Sequence, residues 1–354
     1  MNMKGQWIGD YHNKNISGKL IINIDEVEGH YEGKAFRYTP GYNNIPTSIA
    51  ELTTTNTSSE QKIIVDVYTK DSPDQRKEAN FTLKILNEEL HLNATSSTDP
   101  FFTLTCILAK SSENGASKII GEKKSWGDFK SYIKNKSKDH YLFRGQEEPL
   151  RLRTSFHRCG RYQIDKFVNE DIPQLHKKLS SITSHFFVLD DPVKNGAFWS
   201  LLQHHGYPTP LLDWSYSPYV AAFFAFQKRP KNYDGEELTR IYLFDNDSWK
   251  KRYPQISDIH SPYPHLSIMD FASIDNPRMV TQQAATTFTN IEDIEAYVLE
   301  KEADDSAQYL QAIDIPAKDR EEVMNDLRFM GITAGSLFPG IDGVCEDLKE
   351  RNFG

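Results

Sequence analysis

The first ~110 residues of this 354-residue chain contain a series of short runs in which apolar and polar residues alternate. β-branched and aromatic residues are frequent in these runs, and turn residues separate them, as in strands with one buried face. The runs are Gly5 to Tyr11, Gly18 to Ile24, His30 to Ala35, Lys62 to Tyr68, Ala79 to Leu86, Glu89 to Ala94 and Phe101 to Leu108. This pattern predicts a small all-β N-terminal domain, either a meander barrel or a sandwich.

Local features add detail to this β-rich segment. Asn87 and Glu88 separate two of the runs, which predicts a tight hairpin, because Asn tolerates the left-handed conformation of such turns. Trp7, in the opening run, is expected to pack inside the domain. The segment Gly41 to Glu60 is rich in Thr, Ser and Asn, which predicts a long loop. A scaffolding or partner-binding role is favoured for this domain over ligand binding inside a barrel.

The rest of the chain has a different pattern. Residues 111–124, which begin with the polar segment Ser111 to Lys118, are interpreted as a linker, and residues 125–354 as a second domain. This domain mixes helices and strands without regular βαβ alternation, which predicts an α+β fold. Helices are predicted for Trp126 to Lys134, Tyr162 to Ser181, Gly196 to His205, Pro218 to Lys228, Ile291 to Lys301 and Ala317 to Ile332, strands for HYLFRG, RIYLFD and Arg278 to Thr289, and loops for YPTPLLDWSYSP and Tyr253 to Pro277.

Composition restricts the classes of protein that fit this chain. Its 41 Lys and Arg residues against 50 Asp and Glu give a net charge of −9, which argues against nonspecific binding to nucleic acid or anionic membranes but leaves a local basic cleft open. The three cysteines, Cys106, Cys159 and Cys345, are too far apart for a disulfide framework or a zinc site, and no metal is expected. Because no signal-peptide pattern and no membrane-spanning apolar run occurs, a cytoplasmic protein without membrane contacts is predicted.

Several segments resemble the FRG family, which is named after its Phe-Arg-Gly tripeptide. YLFRGQ (Tyr141 to Gln146) and LRTSFHR (Leu152 to Arg158) resemble the opening of that family. The most specific segment is FWSLLQHHGYPTPLLDWSYSPYVAAFFAF, Phe198 to Phe226, which combines a His-Gly turn, a Leu-Leu-Asp-Trp core and a Ser-Pro helix start. The later blocks are NPRMVTQQ (Asn276 to Gln283) and GITAGSLFPGIDGVCEDL (Gly331 to Leu348), so that the similarity extends over about residues 120–350.

The order of these motifs is similar to that of the ADP-ribosyltransferases with an Arg–Ser–Glu signature. The resemblance implies an ADP-ribosyltransferase-like C-terminal domain that consumes NAD, in which Arg144 contacts the NAD phosphate and an aromatic ring stacks on nicotinamide. The residues implied for NAD binding are Arg144, His205, Asp213, Trp214 and Tyr219, and those implied for catalysis are Ser215, Ser217, Gln282 and Gln283. Arg144, Ser217 and Gln282 or Gln283 are expected to meet in one cleft.

The sequence also departs from the family pattern. Pro210 follows the Pro-Thr pair where an Arg is usual, and the Gly of a later Gln-x-Gly-x-Phe block is missing. Gln282 and Gln283 stand where the related signature has Glu, and their carboxamides are weaker acceptors for ribose hydroxyls. Glu292 and Glu295 follow closely and could replace the missing acid.

Structural roles remain open for the same residues. Arg144 could pair with Asp213 in a buried bridge, Ser217 could be a helix N-cap, and Gln282 and Gln283 could lie in a solvated loop. Asp213 could instead cap a turn or orient Arg144 or His205.

Three functions are therefore compared. The first is an NAD-consuming ADP-ribosyltransferase or NAD glycohydrolase, used as a bacterial toxin or anti-phage effector, with an unknown protein or nucleic-acid acceptor. The second is a non-catalytic FRG module that binds nucleic acid or protein. A metal-dependent hydrolase using His204, His205 and Asp213 ranks last, because adjacent residues on a helix face different ways.

Overall fold

The computed structural model describes residues 2–13, 16–41, 45–96, 103–110, 115–137, 139–229, 235–269, 271, 274 and 276–353. The N-terminal part forms a closed antiparallel barrel in which eight strands follow one another in chain order, so the prediction of a barrel or sandwich is resolved as a barrel. Its strands are β1 (Gly5–Asn13), β2 (Ile16–Val27), β3 (His30–Tyr38), β4 (Ser48–Thr53), β5 (Glu60–Thr69), β6 (Ser72–Leu86), β7 (Glu89–Ser96) and β8 (Thr103–Leu108).

Side-chain alternation builds the barrel core. Trp7 is 1% exposed inside the barrel, and its indole Nε1–H donates to the carbonyl of Met3 at 2.7 Å. The barrel closes where β1 pairs with β8, with Tyr11 opposite Cys106. Asn87 and Glu88 form the predicted tight turn, since both have positive φ values of 50° and 69°. Burial of one face of every strand therefore specifies the register around the barrel.

The predicted loop from Gly41 to Glu60 is wrong in part, because it contains β4. Only Ala50 and Leu52 of this strand are buried, and its other residues are polar or partly exposed. A strand this short with two buried side chains has too little alternation to be distinguished from a loop.

The C-terminal part is built on a seven-stranded sheet. Its strands are β9 (Glu122–Lys123), β10 (Tyr141–Gln146), β11 (Leu211–Ser215), β12 (Leu238–Asp245), β13 (Leu266–Met269), β14 (Ala284–Thr289) and β15 (Leu310–Pro316). They lie in the order β13-β14-β11-β10-β12-β15-β9. Neighbouring strands are antiparallel except for β15 and β9, so the sheet is of the predicted α+β type.

Helices accompany this sheet. They are α1 (Trp126–Lys134), α2 (Ser155–Arg158), α3 (Ile164–Lys166), α4 (Ile172–Leu179), α5 (Pro192–His204), α6 (Pro218–Phe226), α7 (Asn246–Arg252), α8 (Arg278–Thr281), α9 (Ile294–Asp305), α10 (Arg320–Phe329), α11 (Ala334–Leu337) and α12 (Ile341–Phe353). A π-helical turn, Phe167–Asp171, joins α3 to α4, so the helix predicted from Tyr162 to Ser181 is interrupted.

Several sequence-based boundaries in this part are corrected. The predicted loops YPTPLLDWSYSP and Tyr253 to Pro277 contain β11 and β13, and the strand predicted from Arg278 to Thr289 is α8 followed by β14. β15 and the last helix, α12, were not predicted. β11 lacks alternation because four of its five residues are buried, as expected for a strand inside a covered sheet.

The segment interpreted as a linker is packed in its described portion. Ser117 N–H donates to the Pro149 carbonyl at 3.1 Å, Ala116 pairs with Leu150, and β9 extends the C-terminal sheet. The first four linker residues, 111–114, lie outside the described residues.

Candidate functional site

A cleft of about 390 Å³ opens on the C-terminal sheet beside β10, β11 and α6. Most of its side chains come from the segments that contain the Phe-Arg-Gly tripeptide and the Leu-Leu-Asp-Trp core, and others come from α8 and its neighbours. Its lining comprises Phe143, Arg144, Gly145, Glu147, Ser200, Gln203, His204, Asp213, Trp214, Ser215, Ala221, Phe224, Gln227, Lys228, Asn276, Arg278, Met279, Gln282, Ala284 and Phe338. Arg144, Asp213, Trp214, Ser215 and Gln282 therefore share one cleft, although their catalytic and binding roles stay predictions.

Arg144 lies in the central strand β10, which pairs with β11 through Phe143 and Ser215. Its Nη1 donates to the main-chain carbonyl of Asp213 at 2.6 Å, rather than to the carboxylate. Its Nε is buried and has no hydrogen-bond partner. Burial lowers the pKa of the guanidinium, while the nearby Asp213 charge opposes that change. A buried donor without a partner is unusual, because buried polar groups are ordinarily hydrogen-bonded. The guanidinium as a whole is half-buried and lines the cleft.

Asp213 projects from β11 into the same cleft. The Nε2 of Gln203 donates to its Oδ2 at 2.5 Å. The hydroxyl of the buried Thr209 donates to Oε1 of Gln203, which orients the amide so that its NH₂ group faces the carboxylate. Surrounding protein raises the pKa of the Asp213 carboxyl, although Arg144 and the Gln203 hydrogen bond partly offset this effect. The carboxylate is exposed to the cleft yet largely surrounded by protein atoms.

The two serines have clear structural contacts. The Ser215 hydroxyl donates to the Gln282 carbonyl at 2.7 Å and accepts from the Ser217 N–H at 3.0 Å. The Ser217 hydroxyl accepts from the Val220 N–H at 3.3 Å and is the N-cap of α6, as the sequence predicts. Together they connect the end of β11, the start of α6 and the segment before β14.

Gln282 and Gln283 are placed differently. The Nε2 of Gln282 donates to the Leu337 carbonyl at 3.1 Å, and its side chain lines the cleft. Gln283 is exposed, has a φ of 47°, and accepts from the Tyr216 N–H through its main-chain carbonyl at 2.9 Å. Gln283 does not line the cleft, because the tight turn before β14 directs the two residues to different surroundings.

The two aromatic residues implied for NAD binding differ in their positions, since Trp214 lines the cleft and Tyr219 does not. Trp214 is 4% exposed and donates from Nε1 to the Thr287 hydroxyl at 3.1 Å, so most of its ring belongs to the core. Tyr219 packs edge-on against Trp126 with ring centroids 6.2 Å apart and is absent from the cleft lining.

His204, rather than the predicted His205, lines the cleft. Helical geometry explains the difference, since Ser200, Gln203 and His204 share one face of α5, whereas His205 is its exposed C-cap. Burial lowers the pKa of His204, and the positive charge of Arg278 adds to that effect. The neutral imidazole is therefore favoured near neutral pH.

Glu292 and Glu295 lie outside this cleft and cannot supply its acid. Glu292 pairs with Arg153 at 2.6 Å. Glu295 is fully buried and accepts from the Lys118 N–H at 2.7 Å and the Tyr242 hydroxyl at 2.8 Å. Proximity in sequence to Gln283 is misleading here because β14 carries the chain away from the cleft.

A second cavity of about 270 Å³ adjoins the cleft. Arg144, Gln203 and Asp213 line both spaces, so these three side chains form the boundary between them. The second cavity adds Arg158, which was not singled out from the sequence, together with Ser155, Gly206, Tyr207, Leu211 and Leu212. Burial lowers the pKa of Arg158 as well.

The sequence did not identify Gln203, Arg158 or Arg278 as site residues. Arg158 lies in the segment that resembles the family opening, and Gln203 lies in the middle segment. Their positions in these segments could have identified them as candidates. In the described part of the chain, no group of three or more His, Cys, Asp or Glu side chains is placed to hold a metal ion. Among the described helices, none combines the length and apolar character needed to cross a bilayer.

Comparison with known families identifies the region that supplies most of the residues lining this cleft. The family model of the FRG domain matches residues 139–234. The chain therefore contains an FRG domain, and this domain includes β10, β11 and α6 with Arg144, Asp213 and Ser215. The match is shorter than the span of about residues 120–350 suggested by the motifs. No curated protein and no solved structure matches this chain.

Proposed function

We propose that the cleft binds NAD and cleaves the bond between nicotinamide and ribose, as an ADP-ribosyltransferase-like enzyme or an NAD glycohydrolase. One observation carries this proposal: Arg144 and the Asp213 carboxylate stand together at the boundary between two cavities of about 390 and 270 Å³. A dinucleotide needs two such compartments, joined where a cation meets its pyrophosphate.

The arginines support phosphate binding. Arg144 and Arg158 both line the second cavity. Planar guanidinium groups bind phosphate oxygens through paired hydrogen bonds. In this arrangement the adenylate half occupies the second cavity and the nicotinamide riboside half occupies the main cleft.

Asp213 is suited to the bond that breaks. When the C–N bond between ribose C1′ and nicotinamide breaks, its electron pair moves to the ring nitrogen and neutralises the pyridinium, while the ribose becomes an oxocarbenium ion. A carboxylate held by Gln203 at 2.5 Å would stabilise that positive charge without reorganising. Asp213 thereby takes the place of the acid that the Gln282 position lacks.

Gln282 has a supporting part. Its Nε2 is engaged by the Leu337 carbonyl, which orients the amide and leaves Oε1 to accept from a ribose hydroxyl. Water as the acceptor gives NAD hydrolysis, and a protein or nucleic acid as the acceptor gives ADP-ribosylation. Either reaction would suit a toxin or anti-phage effector that acts in the cytoplasm.

The test is incubation of the full-length protein with NAD labelled in its adenylate half, scoring nicotinamide release and labelled macromolecule. Arg144→Lys keeps the charge but loses the paired hydrogen bonds, and should weaken NAD binding by about 1.5–3 kcal/mol, roughly tenfold to over a hundredfold. Arg252→Lys is the matched control, because Arg252 forms a surface ion pair with Asp305 and does not line the cleft.

NAD binding and nicotinamide release distinguish an NAD-cleaving enzyme from a non-catalytic binding module. Wild-type protein that binds NAD and releases nicotinamide, with binding weakened and release reduced in Arg144→Lys and both kept in Arg252→Lys, supports the enzyme. Absence of saturable NAD binding by calorimetry would overturn the proposal and leave the FRG domain as a non-catalytic binding module.

A further inference from the structure

The N-terminal barrel contains a cavity of its own, separate in sequence from the FRG domain. The cavity has a volume of about 240 Å³. Its lining comprises Leu20, Ala35, Arg37, Ser48, Ala50, Val67, Thr69, Lys77, Glu78, Ala79, Phe81, Leu92, Ala94, Ser96 and Leu104, all within the described part of the chain. We propose that this cavity binds a small amphipathic anion, independently of the NAD site.

The distribution of side-chain size creates the space. An eight-stranded barrel is just wide enough for its interior to be filled by side chains or to hold one small ligand. Trp7, Tyr31 and Leu90 are almost completely buried and fill one end of this barrel. At the other end four strands contribute alanine at inward-facing positions, namely Ala35, Ala50, Ala79 and Ala94. A protein interior ordinarily packs without such gaps, so four small residues around one space indicate an occupant.

Strand alternation also places cations inside the barrel mouth. Tyr31, Ala35 and Arg37 lie on one face of β3, and that face is the barrel interior. Lys77 follows the same inward alternation as Ala79 on β6, directly across from Val67. Side chains that point into a barrel are normally apolar, so the half-buried Arg37 is unexpected on stability grounds, whereas Lys77 is exposed at the mouth.

Contacts hold the arginine at this rim. The Nε of Arg37 donates to the Thr47 hydroxyl at 3.3 Å, and its guanidinium lies 5.9 Å from the centre of the Tyr11 ring. The rim also carries hydroxyls from Ser48, Thr69 and Ser96. Glu78 contributes to the lining as well, although alternation along β6 places it on the opposite face from Lys77. Among the described residues, Arg37 and Lys77 are therefore the cationic side chains on the inward face at this rim, above an apolar interior.

These features define the ligand by size and chemistry. A cavity of 150 Å³ holds a benzene molecule, so 240 Å³ accommodates about ten non-hydrogen atoms by proportion. An apolar body of that size fits against Leu20, Phe81 and Leu104, and an acidic group fits beside Arg37 and Lys77. Octanoate has this size and charge pattern and serves as the probe.

The experiment is calorimetric titration of the full-length protein with octanoate, with octan-1-ol as the neutral comparison. Octanoate should bind saturably at one site per chain, and octan-1-ol about tenfold to a hundredfold more weakly, because it lacks the charge-assisted hydrogen bonds. Ala50→Leu and Ala94→Leu fill the cavity and should each weaken octanoate binding at least ~tenfold. The matched control is Ala303→Leu, at an exposed position on α9.

Melting curves establish that each variant is folded, and either cavity-filling variant is sufficient for the test. Loss of octanoate binding in a folded filling variant, with binding retained in Ala303→Leu, supports the site. No saturable octanoate binding by wild-type protein, or unchanged binding in the folded filling variants, overturns it. Equal affinity for octanoate and octan-1-ol overturns the assignment of an anion.

Discussion

Asp213 shows how a single residue is set by its surroundings. Its carboxylate accepts a hydrogen bond from the Gln203 amide and lies near Arg144, and both contacts favour the charged form. Enclosure by the cleft outweighs them and raises the pKa above its ordinary value. Ionisation of Asp213 is therefore disfavoured in the folded protein, a condition that recurs at catalytic carboxylates.

Asp213→Asn should raise thermal stability at neutral pH while abolishing nicotinamide release. Because the folded pKa is raised, the stability contribution of this carboxyl is complete below the unfolded pKa, near 4, and is lost as the pH rises through the folded value. The gain in melting temperature should accordingly shrink toward zero as the pH falls to about 4. Wild-type nicotinamide release should fall over the same interval as Asp213 becomes protonated.

Asp247→Asn is the matched control for that prediction. A hydrogen bond from Lys251 lowers the pKa of Asp247, which lies on the surface, so this change should slightly lower stability and leave activity intact. A melting temperature for Asp213→Asn below that of wild type at pH 7 would contradict the raised pKa.

At the scale of elements, β10 and α6 account for the glycine of the Phe-Arg-Gly tripeptide. A Cβ at Gly145 would lie 1.9 Å from the Ala221 carbonyl oxygen and 2.8 Å from the Ala225 nitrogen. Both are main-chain atoms of α6, so no side-chain movement can relieve the contact. Glycine lets the helix lie directly on the strand, which brings the α6 end of the cleft close to Arg144.

Gly145→Ala should destabilise the protein by about 1–3 kcal/mol or more, because strand and helix must separate to admit the methyl group. Chemical denaturation followed by circular dichroism measures the change. Gly127→Ala is the matched control, since its nearest neighbour would be the Ser125 hydroxyl at 3.9 Å and alanine favours the helix. Equal stability of the Gly145→Ala variant and wild type would show that β10 and α6 do not pack as closely as described.

At the scale of the whole molecule, the barrel packs on the FRG-containing part through β1, β2 and β3. The Gln6 amide donates to the Asn290 carbonyl at 2.7 Å and accepts from the Glu292 N–H at 2.9 Å. Asp25 accepts from the Tyr162 N–H at 2.7 Å, and the Tyr38 hydroxyl donates to the Pro262 carbonyl at 2.6 Å. Such main-chain contacts fix the barrel against the second part rather than leaving it tethered.

Limited proteolysis should cut first within the polar sequence at residues 111–114, before the packed residues Ala116 to Lys118, and leave two folded fragments that remain associated. The barrel has its own hydrophobic core, and the contacts of Gln6, Asp25 and Tyr38 do not depend on chain continuity. Size-exclusion chromatography of the nicked protein, with intact protein as the reference, measures the association. Early cleavage spread across residues 1–110 would contradict an independently stable barrel.

Much of this architecture was readable from local sequence. Alternation predicts seven of the eight barrel strands, and Ser217 with Pro218 predicts the start of α6. The Phe-Arg-Gly and Leu-Leu-Asp-Trp-Ser segments locate the FRG domain, with Arg144 and Asp213 inside it. These features are local, because the side-chain period of a strand and the capping of a helix depend on residues a few positions apart.

Only the tertiary structure decided which residues share the cleft. It placed His204 there instead of His205, added Gln203 and Arg158, and buried Glu295 elsewhere. It also revealed the short strand β4 and the space that four alanines leave inside the barrel. Sequence alone could not supply these results, because a cleft or cavity is lined by side chains that are distant in the sequence and are brought together by folding. Their spacing along the chain does not show which of them become neighbours.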